Sequence, residues 1–294
     1  MGTELEGKVF LITGGTEGIG KSAALTFAKG GATVVLVGRN KEKTERVVAW
    51  LQKESGNPRV ELLLGDCSSV AEVRAIAGAF KAKHQRLDVL VNNAGALFVD
   101  HQLTPEGFER SFALNHLGYF VLTKELLELL KKTPGSRVVS TSSGAHRAGS
   151  INLETVATRP DRRAGFPAYG DSKLANILFT RALAKRLEGT GVVANCVHPG
   201  WVHTGFGLNN QGTLIARLIG LAAPLLARTP EKGAETLVWL AVSPDAASVN
   251  GQYFFNKRVA SVSARARDEA LAEALWALSE KVSTALPAAI RAAS

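Results

Sequence analysis

The apolar run Lys8–Thr13 ends in four closely spaced glycines, Gly14, Gly15, Gly18 and Gly20, and a helical pattern from Lys21 to Lys29 follows at once. A second apolar run, Ala32–Val37, starts directly after Gly30-Gly31. Strand, glycine turn, helix and strand in that order make a βαβ unit, whose parallel strands must be covered by helices. Glycine at the turn allows a sharp strand-to-helix reversal, close approach of a pyrophosphate to the backbone, and tight packing of helix on sheet. The helix N-terminus then offers unpaired N–H groups and a partial positive charge. In this setting Gly14, Thr16, Glu17, Gly18, Ile19 and Gly20 are read as a phosphate loop for a dinucleotide.

Further strand-like runs occur at Val60–Leu64, Leu87–Asn92, Arg137–Thr141, Val192–Val197 and around Gln252–Phe255. Helical patterns lie at Lys41–Glu54, Ser69–His84, Pro105–Lys132, Tyr169–Leu187, Glu231–Val242 and Asp268–Val282. This alternation predicts one α/β domain over residues 1–294, a Rossmann fold with a doubly wound parallel sheet and helices on both faces. Two stretches, Ala145–Pro167 and Gly205–Pro230, read as irregular excursions.

With 294 residues, 46% of them hydrophobic, the chain can bury a large core, which excludes disorder as its main state. The formal net charge of +9 comes from scattered single residues and pairs, without a basic run or a basic–aromatic stripe, so no nucleic-acid partner is expected. Cys67 and Cys196 stand far apart, outside any CxxC or Cys/His cluster. A reducing, cytoplasmic setting without a disulfide framework is expected. The short polar stretch Met1–Gly7 suggests neither signal peptide nor anchor. The apolar stretch Leu214–Ala227 is interrupted by Arg217 and Pro224 and is too short to span a bilayer. His101, His116, His146, His198 and His203 form no HxxxH pair, and no metal site is expected.

At the end of the second strand, Gly38-Arg39-Asn40 stands where a carboxylate would bind the ribose hydroxyls of NAD. Arg39 either pairs a 2′-phosphate through two parallel hydrogen bonds or is an ordinary surface arginine; the first reading favours NADP(H), with NAD(H) still possible. Glu17 argues mildly against a 2′-phosphate. Tyr169 and Lys173 are four residues apart on a helical pattern, so they share a face, and a nearby cation favours the phenolate. Such a pair can do acid–base work.

Read together, Thr13, Gly14, Gly18 and Gly20 (TGxxxGxG), Asp66, Asn92–Gly95 (NNAG), Asn115, Ser143, Tyr169 with Lys173 (YxxxK), and Pro199-Gly200 with Thr204 occur in the order of the short-chain dehydrogenase/reductase family, which the chain resembles over nearly its whole length. Asn115-His-Leu-Gly, Ser172–Thr180, Val197–Thr204, Gly251–Phe255 and Leu275–Ser279 are similar to the retinol dehydrogenase-like branch, which includes the oxidoreductase part of WW-domain oxidoreductases. Members of that branch often carry an N-terminal membrane anchor, a pattern absent from Met1–Gly7. The resemblance implies hydride transfer between a nicotinamide and a carbonyl or alcohol carbon. Tyr169 would be the proton donor or acceptor, and Lys173 would lower its pKa and hold the nicotinamide ribose. Ser143 would hydrogen-bond the substrate oxygen, with Ser142 as the alternative. Asn115 would hold a water linking Lys173 to solvent.

The resemblance further places Asp66 and Cys67 at the adenine edge, the backbone of Asn93, Ala94 and Gly95 along the adenosine, and Pro199, Gly200, Val202 and Thr204 at the nicotinamide. Asn93 is equally open to a role in tying neighbouring strands. His146 either touches substrate or makes a loop hydrogen bond. The apolar segment at about 205–230 suits a substrate lid, a helix packed on the core or another subunit, or a peripheral membrane contact. A lid of that kind would favour a small apolar carbonyl or alcohol: a retinoid, steroid, lipid aldehyde or aromatic ketone. The 26 residues from Ser143 to Tyr169 exceed the common family spacing, so the loop at about 150–167 is expected to border the substrate mouth and to favour monomer or homodimer over tetramer. Two other functions stay open: NADPH-dependent reduction of an activated double bond, and a catalytically idle NADP-binding sensor with a protein partner. The full set Asn115, Ser143, Tyr169 and Lys173 favours the enzyme.

Overall fold

The computed structural model describes residues 4–202 and 228–285. In chain order the elements are β1 (Val9–Thr13), α1 (Gly18–Lys29), β2 (Thr33–Gly38), α2 (Lys41–Ser55), β3 (Val60–Leu64), α3 (Val70–Lys83) and β4 (Val89–Asn92). Then come α4 (Arg110–Phe112), a π-helical turn (Ala113–Leu117), α5 (Gly118–Lys132), β5 (Arg137–Thr141), a 3-10 turn (Gly144–Ala148) and α6 (Gly165–Arg186). β6 (Val193–Val197), α7 (Pro230–Val242), β7 (Tyr253–Phe255), β8 (Arg258–Val259) and α8 (Glu269–Thr284) complete the fold.

The strands form one sheet in the order β3-β2-β1-β4-β5-β6-β7-β8, parallel up to β7, with β8 antiparallel at the edge. The chain winds outward from β1 in one direction and then, from β4, in the other. That reversal opens a crevice beyond the carboxyl ends of β1 and β4, where such sheets bind ligands. Every loop that carries an expected site residue leaves the sheet at this edge.

Alternation along β1 sorts the core into two layers even though the run is apolar throughout. Val9 and Leu11 pack with residues of α3, α5, α6 and α8, among them Ile76, Phe120, Leu178 and Trp276. Phe10 and Ile12 pack on the opposite face with residues of α1, α2 and α7, among them Phe27, Leu51 and Leu240. Helix starts are set by local chemistry: Asn40, Ser69, Thr229 and Asp268 each cap a helix by accepting a backbone N–H in its first turn.

Three expected helix starts move, the first from Lys21 back to Gly18. The helix expected from Pro105 starts at Arg110, because Thr104–Phe108 turns back on itself and Gly107 takes a left-handed conformation (φ 84°). The helix expected from Tyr169 starts four residues earlier, at Gly165, so Tyr169 lies in its second turn. The excursion at 145–167 holds a 3-10 turn and then irregular chain. Of the expected lid at 205–230, residues 205–227 lie outside the described residues. No helix among the described residues is long and apolar enough to cross a membrane.

Buried Asn57 donates from Nδ2 to the carbonyls of Ala28 (2.9 Å) and Ala32 (2.8 Å), closing the α1–β2 connection. Asn57→Ala strands both carbonyls, and urea unfolding is expected to show a loss of about 1–3 kcal/mol.

Candidate active site

The glycine turn is a cradle in which a side chain would not fit. Gly14 has a left-handed φ of 66°, and a Cβ there would lie 2.8 Å from Ala94 Cα; a Cβ on Gly20 would lie 2.2 Å from the Gly14 carbonyl. At the cap position of α1, Glu17 is extended and makes no side-chain cap, so no side chain competes for the first-turn N–H groups there. Thr16, Gly18 and Ile19 stand half-buried along this turn. An uncapped helix start behind two backbone-tight glycines fits a dinucleotide pyrophosphate. Glu17 instead pairs with Lys43 of α2, which neutralises the negative charge that counted against a 2′-phosphate.

At the neighbouring corner Arg39, 66% exposed, donates from Nη1 to Asp66 Oδ2 at 3.2 Å. Burial works against the Asp66 carboxylate, but hydrogen bonds from Ser68 and Arg39 outweigh it and hold its pKa below the ordinary value. Arg39 thus stands beside the expected ribose position already partnered to a carboxylate. The Asn40 side chain is used locally, accepting the Lys43 N–H at 2.8 Å. The Cys67 thiol is buried in the core, and burial raises its pKa to about 12, so only its backbone is placed to meet the expected adenine edge. For Asn93, the strand-tying role is the one seen. Its amide donates to the Thr13 and Gly14 carbonyls, and its oxygen accepts from Thr141. The backbone of Ala94 passes against Gly14, and Gly95 lies close to both Asn115 and Lys173.

The carboxyl end of β5 and the helix α6 bring Ser143, Tyr169 and Lys173 together. Ser142 is buried and donates to the Lys173 carbonyl at 2.7 Å, whereas half-buried Ser143 faces Tyr169. The geometry therefore selects Ser143 of the two serines. Burial raises the Tyr169 pKa to about 12, against a hydrogen bond from Ser143 that lowers it. Burial likewise lowers Lys173 to about 8. The Lys173 ammonium lies 5.4 Å from the Tyr169 ring centre and donates to the Thr141 carbonyl at 3.3 Å. A phenol that keeps its proton at neutral pH, with a cation next to it, can donate that proton and have the resulting phenolate stabilised.

Asn115 sits in the π-helical turn, where the chain makes an extra-wide loop between α4 and α5. Its side-chain amide is hydrogen-bonded at both ends. Oδ1 accepts the Ala96 N–H (2.9 Å), while Nδ2 donates to the Ala96 carbonyl (2.9 Å) and Ser172 Oγ (3.0 Å). Asn115 thereby fixes the loop after β4 to α6.

On the nicotinamide side, Gly200 takes φ 88° and His198 Nδ1 accepts its N–H at 3.2 Å. Pro199 and Val202 follow the end of β6; Val202 pairs with Arg228 and approaches Gly233 together with Ile19. Thr204 lies outside the described residues. His146 makes loop hydrogen bonds: Nδ1 meets the Ser143 carbonyl at 2.8 Å, and Nε2 accepts the Ser263 N–H at 3.4 Å.

Several supporting residues escape sequence reasoning. In the 150–167 loop, Arg159 is 4% exposed, has a left-handed φ of 45°, and lies between two buried carboxylates. Nη2 meets Asp171 at 2.5 Å, and Nε lies 3.7 Å from Glu109. Glu109 caps α4 through the Ser111 and Phe112 N–H groups, and Asp171 accepts the Ser150 N–H. The clamp joins the long loop to α4, which leads into the turn that carries Asn115, and to α6, which carries Tyr169. Its partners are 50 and 12 residues from Arg159, and none stands in a recognisable pattern.

The profile of the family described as "short chain dehydrogenase" matches residues 8–212, and the chain belongs to this family. It is a retinol dehydrogenase-like member: it is 39% identical over 289 residues to retinol dehydrogenase 14 of Mus musculus and 40% identical over 276 residues to retinol dehydrogenase 11 of Homo sapiens. Both alignments cover 94% of this chain and 86% of the relative. Among solved structures, an uncharacterised protein of Mycobacterium paratuberculosis matches with a TM-score of 0.77 at 32% identity, covering 96% of this chain and 95% of that one. A short-chain dehydrogenase of Shigella flexneri complexed with NADP matches with a TM-score of 0.67 at 26% identity, covering 86% and 98%. The protein is an NAD(P)-dependent oxidoreductase acting on CH–OH or C=O groups.

Arg159→Met leaves two buried carboxylates without their cation. Chemical denaturation is expected to show a loss of about 3–5 kcal/mol. A loss within error of zero would show that the clamp does not hold the loop.

Proposed function

We propose that the protein is an NADP-preferring reductase of an apolar carbonyl compound, a retinoid, steroid, lipid aldehyde or aromatic ketone, and runs the reverse oxidation when cofactor levels favour it. The observation that carries this reading is the buried Tyr169 phenol, protonated at neutral pH, set between Ser143 and the Lys173 ammonium. A bound nicotinamide supplies or takes the hydride. In reduction the Ser143 hydroxyl donates to the carbonyl oxygen, orients it and steadies its developing charge. Tyr169 then gives that oxygen its proton, and Lys173 stabilises the phenolate left behind.

The apolar substrate class is supported by large hydrophobic side chains left exposed at this end of the sheet. Phe166 is 55% exposed one turn before Tyr169, and Trp201 is 51% exposed beside Gly200. Val99 and Leu103 are exposed in the loop that Gly165 joins through the Phe98 carbonyl. Such a rim sheds water readily on contact with an apolar ligand. The NADP preference rests on Arg39 and on Lys43, which offsets Glu17, and is in line with the NADP complexes of the Shigella flexneri and Burkholderia cenocepacia relatives.

Three outcomes test the reading. Arg39→Asp is expected to weaken NADPH binding at least tenfold more than NADH binding, measured by quenching of tryptophan fluorescence; equal losses would remove Arg39 from phosphate recognition. NADPH consumption over retinal, steroid ketones, alkyl aldehydes, quinones and enones should show turnover on the carbonyls, abolished in Tyr169→Phe. Turnover confined to the enones would replace the carbonyl reading. With Lys173 lowered to about 8, its cation is complete below that pH and lost above it, so reductive kcat should be flat at lower pH and fall as pH rises through about 8.

A further inference from the structure

One turn beyond Lys173, along the same face of α6, begins a line of polar side chains buried in an otherwise apolar layer. Asn176, fully buried, donates from Nδ2 to the carbonyls of Asn115 (2.8 Å) and Thr141 (3.0 Å). Two carbonyl partners settle which end of this amide is the nitrogen, since a carbonyl cannot donate. Thr141 O is the same oxygen that receives the Lys173 ammonium. The amide of Asn176 therefore grips the carbonyl on which the ammonium rests.

The other end of the amide, Oδ1, is buried with no conventional partner, and so is Nδ1 of His116. These two side chains interact, and Asn176 favours a proton on the imidazole. A buried acceptor and a buried ring nitrogen left unpaired are both costly, and one N–H···O contact between them satisfies both. Burial lowers the His116 pKa to about 4, so at neutral pH the ring carries a single proton. If that proton is on Nδ1, Nε2 must accept. Its neighbour at 2.9 Å is Ser279 Oγ of α8, a hydroxyl able to donate. Ser279 then gives up its alternative acceptor, the Leu275 carbonyl at 2.8 Å, which sits one helical turn earlier and keeps the backbone hydrogen bond of the helix. Phe112 and Phe179 pack against the ring, and no carboxylate is among its hydrogen-bond partners.

We propose that Ser279, His116 and Asn176 form one buried hydrogen-bond chain from the C-terminal helix to the seat of Lys173, with His116 and Asn176 as positioning residues for the ammonium. Donation runs in one direction: Ser279 Oγ–H to His116 Nε2, His116 Nδ1–H to Asn176 Oδ1, and Asn176 Nδ2–H to the Asn115 and Thr141 carbonyls. The chain locks His116 in its Nδ1–H tautomer and makes the seating of α8 part of the geometry of Lys173. It rests on the reading of Lys173 as the partner of Tyr169.

Two measurements on the full chain test it. In long-range proton–nitrogen correlation spectra of histidine-labelled protein at pH 7, assigned by the signals missing from His116→Asn, His116 should show a protonated Nδ1 and a bare Nε2. A proton on Nε2 overturns the chain. In kinetics on the fastest carbonyl of the panel, His116→Asn places an amide donor where Nδ1 was and should stay within about threefold of wild-type kcat. His116→Gln, which reaches the level of Nε2 instead, and Asn176→Leu should each lose about tenfold or more in kcat with KM little changed, since small displacements at a reacting centre cost rate rather than binding. Ser279→Ala, the mildest change, should lose about threefold. Equal losses in the two His116 variants, or no loss in any variant, would reduce the line to packing. Tyr169→Phe run alongside separates the two ideas: if it stays active, the catalytic reading fails, while the tautomer result still decides whether the chain exists.

Discussion

An ammonium held at 2% exposure is the constraint around which the site is built. A lysine in such a place loses most of its hydration and needs polar groups arranged in advance. The Thr141 carbonyl, the ring faces of Tyr119 and Tyr169, and the polar residues Ser142, Ser172 and Asn176 on neighbouring turns supply that environment. The helix that carries Lys173 is in turn a central element, with most of α6 buried. A surface helix could not give Lys173 a lowered pKa or Tyr169 a raised one.

The same edge of the sheet carries its charges in compensated pairs. Glu17 is matched by Lys43, Asp66 by Arg39, and Glu109 with Asp171 by Arg159. The first two pairs are exposed and can exchange partners when a phosphate arrives, because a solvated ion pair is worth little. The third is buried and cannot be broken cheaply. Exposed pairs surround the place where a ligand would be chosen, and the buried triad holds the long loop against the helices that position the acid–base groups.

Much of this site is legible in the sequence. Spacing puts Tyr169 and Lys173 on one helical face, and the accompanying family motifs, Asn115 and Ser143 among them, give that spacing its meaning. The glycines of the turn announced themselves because a strand, a glycine cluster and a helix in succession have few other uses. Ser143 was separable from Ser142 only by family pattern, and the fold supplies the reason: one hydroxyl points inward to a helix carbonyl and the other outward to Tyr169. The direction of the Cys67 thiol is not legible, because a residue just past a strand can face either way, and here the core takes it. Arg159, in a stretch rich in Arg and Pro, looks like a surface residue. Asn176 left one faint signal, an amide inside the apolar run Leu174–Phe179. A polar residue at a core position of a helix is costly unless something satisfies it.

The sequence by itself determined the layer architecture, the glycine turn and the shared helical face of Tyr169 and Lys173, because hydrophobic periodicity, glycine placement and helical spacing are local properties of the chain. Only the tertiary structure decided which carbonyl seats Lys173, which serine faces Tyr169, that Asn115 fastens a loop, and that Arg159 and His116 are interior residues. Those outcomes depend on contacts between segments 12 to 163 residues apart. They are selected by the penalty for leaving a buried polar group unpaired, which has no meaning until the chain has closed around it.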